Sequence, residues 1–308
     1  MHPCSANFFL INLLLIGGAA TLSMATDALV PWEPTTGSGA AAAASCLPWE
    51  REALLAFKRG ITGDPVGRLA SWKKEDHNCC RWRGVRCSNL TGHVLGLHLQ
   101  NDKVAVWDMY IEFYSDFDAT ALAGQITTPL LALEHLEHLD LSNNNLTGPT
   151  GRLPEFVGSL KNLRYLNLSG MPFMGMVPRQ LGNLSKLQCL DLSNGKGEIT
   201  EKHFAGLKSL KNIDLSYNQD LKIVLGPEWL PPFRLDVANF ALCQIGPAFP
   251  SWLQRLDEVG WLDVSHTGNT STEKKLPPPS PLRALLVTSP ILIKVGDLSP
   301  IRNLPVIF

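Results

Sequence analysis

Charge is scarce in this chain. Asp, Glu, Lys and Arg make up only 18% of its 308 residues, and 27 basic against 28 acidic side chains leave a net charge of −1. A surface with no field of one sign has nothing to hold a polyanion, which argues against nucleic acid as a partner. Catalytic motifs are missing too. There is no G-x-S-x-G, no H-E-x-x-H and no phosphate-cradling glycine loop, and the eight histidines are scattered. The reading is a non-catalytic protein that needs no cofactor. Long apolar runs are also absent. Phe8 to Ala20 falls short of the roughly 20 residues of a membrane-spanning helix, and Leu285 to Val295 is broken by Pro290 and Lys294, so no membrane span is expected. No C-x-x-C pair occurs, and adjacent Cys79 and Cys80 cannot readily both ligate one tetrahedral ion, so a zinc site is disfavoured and no metal is expected.

What is abundant is leucine, 50 of the 308 residues. The first cluster of apolar residues reads as targeting. Phe8–Ala20 has the length of a signal-peptide core, and Ser23-Met24-Ala25 supplies small residues for cleavage after Ala25. The departure is an N-terminal region without Lys or Arg. Residues 1–25 are therefore expected to be a signal peptide. Residues 26–45, including TTGSGAAAAAS, read as a flexible spacer. Entry into the secretory pathway puts the remaining cysteines where disulfides form and last.

Cys46, Cys79, Cys80 and Cys87 crowd into a segment over 46–90 that reads as a small stapled cap. Pro48 to Gly60 predicts a short amphipathic helix, with Pro48 at its start and Gly60 just past its end. Leu54, Leu55 and Phe57 share a face with Trp49 nearby, and Leu69, Trp72, Trp82 and Val85 are the other core candidates. Two disulfides would staple a unit too small to be stable alone. Spacing leaves three pairings open among four cysteines.

Internal repeats decide the fold. The pattern LxxLxLxxNxL occurs at Leu136, Leu139, Leu141, Asn144 and Leu146, and again at Leu210, Ile213, Leu215, Asn218 and Leu221. Further copies begin at Leu163, Leu187, Leu235 and Val259, so the starts are 23 to 27 residues apart. Met171, Gly195, Cys243 and Thr267 stand at the Asn position of those copies, and Met171, Gly195 and Thr267 are expected to mark looser turns. A weaker copy starts at Val94, and residues 102–121 read as an insertion after it. Each copy carries a short strand whose alternate residues point inward, and only stacking of copies buries the leucines. The expected fold is an α/β leucine-rich-repeat solenoid over 91–267, about seven repeats, with short parallel strands lining a concave face and a disulfide-stapled N-terminal cap. Pro277-Pro278-Pro279 forbids another regular turn, and 268–308 reads as a disordered tail.

The runs CLPWEREALLAFKRGITGDPVGRLASW and CCRWRGVRC, with LEHLEHLDLSNNNLTG and PPFRLDVANFALCQIGPAFPSWLQ, resemble plant extracellular leucine-rich-repeat receptor-like proteins of the fungal-resistance type. The resemblance covers roughly 46–267. It implies the N-terminal part of a cell-surface ectodomain that perceives a protein or peptide ligand in defence or development and signals through a co-receptor kinase. It also implies pairing of Cys46 with Cys79 and of Cys80 with Cys87. Family ectodomains carry more repeats, a C-terminal cap and a membrane anchor. A chain without them reads as truncated before the span, at the plasma membrane if a longer form supplies the anchor and extracellular otherwise. The alternatives are a secreted inhibitor of foreign cell-wall enzymes and a non-functional remnant.

Ligand contacts are expected on the concave face. One column there, Asp140, Asn167, Asp191, Asp214, Asn239 and Asp263, reads as strand text rather than as a metal or acid–base ladder. The columns beside it vary more, and His138, Arg164, Tyr165, Lys211, Asn212 and Trp261 are the recognition candidates. Cys189 lies in the same column with no evident partner. Sequons at Asn89, Asn145, Asn167, Asn183 and Asn269 are candidate glycosylation sites, and a glycan on Asn167 would cover part of that face.

Overall fold

The computed structural model describes residues 44–102, 117–192, 197–245, 251–253, 259–267 and 285–286. The expected signal peptide, nearly all of the spacer, most of the insertion, Gly195, Asn269 and almost all of the tail lie outside the described residues. No helix among the described residues is long and apolar enough to cross a membrane.

The cap opens with helix α1 (Pro48–Arg59), which has Pro in its first turn and Lys58 and Arg59 in its last. Leu54 and Phe57 are fully buried, Leu55 packs at the edge of the core, and Trp49 is 58% exposed, so it stands outside the expected apolar face. Gly60 does end the helix, but with an ordinary φ of −77°. Its role is close approach: a Cβ there would lie 2.9 Å from the Gln125 carbonyl. Phe57, Trp72 and Trp82 form the cap core, the two indoles stacked at 5.5 Å. Both buried indole N–H groups are satisfied, Trp72 by the Arg83 carbonyl and Trp82 by Asp76. Disulfides join Cys46 to Cys79 and Cys80 to Cys87.

Strands of mostly three residues follow at each repeat. β1 (Ile61–Gly63), β2 (Val85–Cys87) and β3 (Val94–His98) belong to the cap and its junction. β5 (His138–Asp140), β7 (Tyr165–Asn167), β8 (Cys189–Asp191), β10 (Asn212–Asp214), β12 (Val237–Asn239) and β13 (Trp261–Asp263) are the repeat strands. With β14 (Leu285–Leu286) they form one sheet, in the order β14-β13-β12-β10-β8-β7-β5-β3-β2. Within this sheet, among the described residues, only the β2–β3 pair is antiparallel. Pairing from β3 through β13 is unslipped: Leu97, Leu139, Leu166, Leu190, Ile213, Ala238 and Leu262 are in register and buried. Each buried leucine contributes about 1.5–3 kcal/mol, which no repeat could collect alone.

Two smaller sheets flank the main one. β4 (Ala123–Gln125) lies between β1 and β6 (Asn145–Thr147), and β9 (Gly197–Ile199) pairs with β11 (Leu221–Ile223). Leu122 to Ile126 thus regains the repeat path after a short helix, α2 (Phe117–Thr120). Return paths are 3-10 turns at Thr128–Ala132, Glu155–Ser159 and Arg179–Asn183, with Pro154 and Pro178 capping the last two. The fourth return uses α3 (Glu201–Phe204). Gly158, Gly182 and Gly206 recur every 24 residues where these turns stack, and a Cβ on any of them would run into a carbonyl of an adjacent turn.

The residue before the Asn position is left-handed in five of the repeats. Asn143, Gly170, Tyr217, Leu242 and His266 have φ between 55° and 67°. The turn that follows is closed by side chains. Asn144 Nδ2 donates to the Leu141 carbonyl at 2.9 Å and Asn218 Nδ2 to the Leu215 carbonyl at 2.6 Å. Thr267 Oγ1 donates in the same way to Val264 at 2.8 Å, so this turn too is closed by a side chain. Cys243 Sγ donates to the Leu215 carbonyl of the repeat before, at 2.7 Å. Met171 is buried and has no polar hydrogen to give. Leu221 falls eleven residues after Leu210, whereas Leu146 falls ten after Leu136, so this turn holds one residue more than the pattern suggested.

Candidate ligand-binding face

Side chains at the first and third strand positions share the concave face, because successive residues of a strand point to opposite sides. The third-position column is structural. Asp140, Asn167, Asp214, Asn239 and Asp263 each accept the backbone N–H two residues on, at 2.8 to 3.2 Å. Ser142 and Ser169 add their hydroxyls to the same oxygens at 2.7 Å. These acceptors hold the chain as it leaves each strand for the left-handed turn. Burial raises the carboxyls of Asp140, Asp214 and Asp263 above the usual range, while the serine donors pull them back. Asn239 Nδ2 also donates to Asp214 at 3.0 Å, linking neighbouring repeats.

The first-position column is in register across six strands: His138, Tyr165, Cys189, Asn212, Val237 and Trp261. At its N-terminal end, His138 stacks on Tyr165 at 5.9 Å and lies 6.0 Å from His98. Tyr165 donates to Asp140 and accepts from Asn167, both at 3.2 Å. Burial and its acidic neighbours push the Tyr165 hydroxyl up, so it stays protonated. Burial, then the nearby Arg86 and His98, push His138 down to about 4, and it is a neutral imidazole at physiological pH. Arg164 stands beside this group, partly exposed and 3.6 Å from Glu137. Together these residues present an aromatic shelf edged by the Arg164–Glu137 ion pair.

The expected contacts are thus only partly brought together. His138, Arg164 and Tyr165 form one cluster. Trp261 is half-buried further along the same column, and Lys211 is half-buried just before β10. Asn212 is only 4% exposed, packed between Cys189 and Val237 in the column, so it is corrected from a recognition residue to part of the wall. Cys189 is buried, 4% exposed, and forms part of the same wall. Cys243 is a free thiol, and burial pushes it up to about 12, far from a reactive thiolate.

The sequons divide in the same way. Asn89, Asn145 and Asn183 are exposed. Asn167 is 4% exposed and its amide is committed on both sides, to Tyr165, Ser169 N–H and the Ser169 hydroxyl. The expectation of a glycan there is corrected: the folded repeat has no room for one.

The family described as Leucine rich repeat N-terminal domain matches residues 47–88, and Leucine Rich Repeat matches 135–160 and 162–184. Residues 47–88 thus carry a leucine-rich-repeat N-terminal domain and 135–184 leucine-rich repeats. The leucine-rich-repeat chain is 39% identical over 176 residues to Receptor-like protein EIX1 from Solanum lycopersicum, covering 55% of this chain and 16% of that protein. It is 42% identical over 135 residues to Receptor-like protein EIX2 from the same plant, covering 44% and 12%. The leucine-rich-repeat chain therefore spans less than a fifth of the length of these relatives. Among solved structures, the BIR2 ectodomain from Arabidopsis thaliana is 23% identical, with 74% of this chain and 100% of that one covered and a TM-score of 0.47.

Proposed function

We propose that the chain is the N-terminal recognition part of a plant receptor-like ectodomain, non-catalytic, working outside the cell or at its surface, and that it takes a protein or peptide ligand on its concave face. The observation that carries this reading is the division of labour between adjacent columns. The third-position side chains are used up in capping the backbone. The first-position side chains and those just before the strands vary and include an aromatic shelf, a cation and a tryptophan, the residue types that dominate binding hot spots. From His138 to Trp261 the column crosses five strand spacings, about 24 Å, the reach of roughly seven residues of extended peptide. A co-receptor kinase would complete signalling. Residues 1–25 as a signal peptide and the exposed sequons Asn89, Asn145 and Asn183 fit a secreted, glycosylated product.

The test is selection of a peptide-display library on the secreted, full-length protein. Selected peptides should bind Arg164→Ala and Trp261→Ala at least tenfold more weakly, and bind Lys161→Ala, on the opposite side, unchanged. Equal binding to all three variants sinks the reading.

A further inference from the structure

Three side chains from separate parts of the chain meet at the seam between the cap and the first repeat. Glu50 lies in the first turn of α1, His93 just before β3, and His135 in the loop before β5. Glu50 is 1% exposed, and its Oε2 accepts the Val94 N–H at 2.9 Å. Its Oε1 lies 3.0 Å from Nδ1 of the mostly buried His93. The His93 ring stacks on the exposed His135 ring with centroids 3.7 Å apart and planes within 22°. One ligand atom from each of the three lies within 4.8 Å of the other two.

A carboxylate taken out of water needs a counter-charge. A divalent ion held by this carboxylate and the two imidazoles supplies it. We propose that Glu50, His93 and His135 bind one divalent transition-metal ion, zinc being the natural candidate for a donor set of two imidazoles and a carboxylate. Tetrahedral zinc with bonds of about 2.0–2.2 Å holds its ligand atoms about 3.3 Å apart. Glu50 Oε1 and His93 Nδ1 already stand within a few tenths of an ångström of that spacing. The remaining closure falls to His135, whose exposure leaves it free to turn. The ion takes the place of the proton shared between His93 and Glu50, which is released to solvent. Water fills the fourth position on the open side. The site would tie α1 to the first repeat, a third staple for a small cap. It is independent of what the concave face binds.

The experiment uses the tag-free, disulfide-intact full chain, stripped with chelator and then titrated with Zn²⁺ and, separately, with Co²⁺. The expected result is one equivalent of zinc per chain, a tetrahedral cobalt absorption, and a melting temperature that rises with zinc concentration as mass action requires. His135→Ala removes an exposed ring and should melt like the metal-free wild type. It should weaken zinc binding by more than the roughly 10–100-fold that loss of a supporting partner costs, and abolish the zinc-dependent rise. His77→Ala should bind as wild type. Equal zinc binding by wild type and His135→Ala, or no cobalt spectrum at a cobalt concentration well above that of the protein, overturns the proposal.

Discussion

Arg68 Nη1 of the cap donates to Asn144 Oδ1 of the first full repeat at 3.1 Å, across 76 residues of chain. The guanidinium does more than this one contact. It also reaches the carbonyls of Leu99, Gln100 and Thr120 and Oδ1 of Asn101. Asn144 in turn donates to Leu99 and accepts from the Leu122 N–H. The weak first copy has Asp102, not Asn, at the Asn position, and a buried arginine supplies donors at that turn instead. Arg68→Met keeps length and removes the donors, leaving several buried oxygens without partners. It should cost about 3 kcal/mol in denaturant unfolding of the full chain. Arg68→Lys should recover little of that, because an ammonium cannot present five planar donors. A loss below about 0.5 kcal/mol for Arg68→Met would show that the network is dispensable.

The repeats themselves were legible because leucine at fixed spacing has one physical outlet, a stacked strand ladder. The cap helix and its staples were legible for a similar reason, four cysteines around one short amphipathic segment. What escaped is what depends on long-range meetings. Arg68 looks like any surface arginine until the turn at Asn144 is placed beside it. Glu50, His93 and His135 are 43 and 42 residues apart, and no local pattern joins them. The aromatic cluster of Phe204, Trp229, Phe233, Trp252 and Phe240, with ring centroids 5.6 to 6.1 Å apart, is invisible to the leucine pattern for the same reason. Asn212 and Asn167 were misplaced because strand periodicity gives the face a residue points to, not how deeply its neighbours cover it.

The two staples should differ in weight. Cys46–Cys79 closes 33 residues of separation and Cys80–Cys87 only 7. Loop-closure entropy then assigns them about 4 and about 2 kcal/mol. Replacing both members of the first pair by Ala should lower stability by more than replacing both members of the second, and the buried Cys79 adds to the gap. The reverse order in chemical denaturation would point to native-state strain or residual structure rather than chain entropy.

Left-handed turns give a stabilising substitution. Tyr217 and Leu242 have φ of 59° and 62°, where a Cβ crowds the backbone, and glycine does not. Tyr217 is also 46% exposed, so little packing is lost with its ring. Tyr217→Gly should raise stability by about 1 kcal/mol, whereas Gly170→Ala, at 67°, should lower it by at least as much. Opposite signs at equivalent positions are the signature to look for in the melting curves.

Glycan occupancy separates exposure from motif. Mass spectrometry of the secreted protein should find sugar at some or all of Asn89, Asn145 and Asn183, and none at Asn167. Asn167→Gln should then shift the mass only by its one added methylene, with no loss of sugar. It should still destabilise by about 1–2 kcal/mol, because the longer side chain cannot hold the Ser169 turn and Tyr165 in the same geometry. An occupied Asn167 in folded protein would mean that this repeat opens.

His138 sets a pH dependence of defined sign. Its pKa is near 4 in the fold, chiefly through burial, against about 6.5 in an unfolded chain. Between those values the unfolded state holds a proton here that the folded state does not, so stability falls as pH drops from 6.5 to 4. Solvent screening at a partly exposed ring limits the effect to the order of 1 kcal/mol. The raised carboxyls of Asp140, Asp214 and Asp263 act in the other direction, since they take up protons in the fold first, so the whole-protein profile is a compromise. The clean measurement is therefore a difference. His138→Phe keeps the contact with Tyr165 and removes the titration, so its stability relative to wild type should improve on going from pH 7 to pH 4. NMR titration of the His138 ring should give a midpoint near 4, and a midpoint near 6.5 would show that the ring is solvated and that the aromatic shelf is not closed over it.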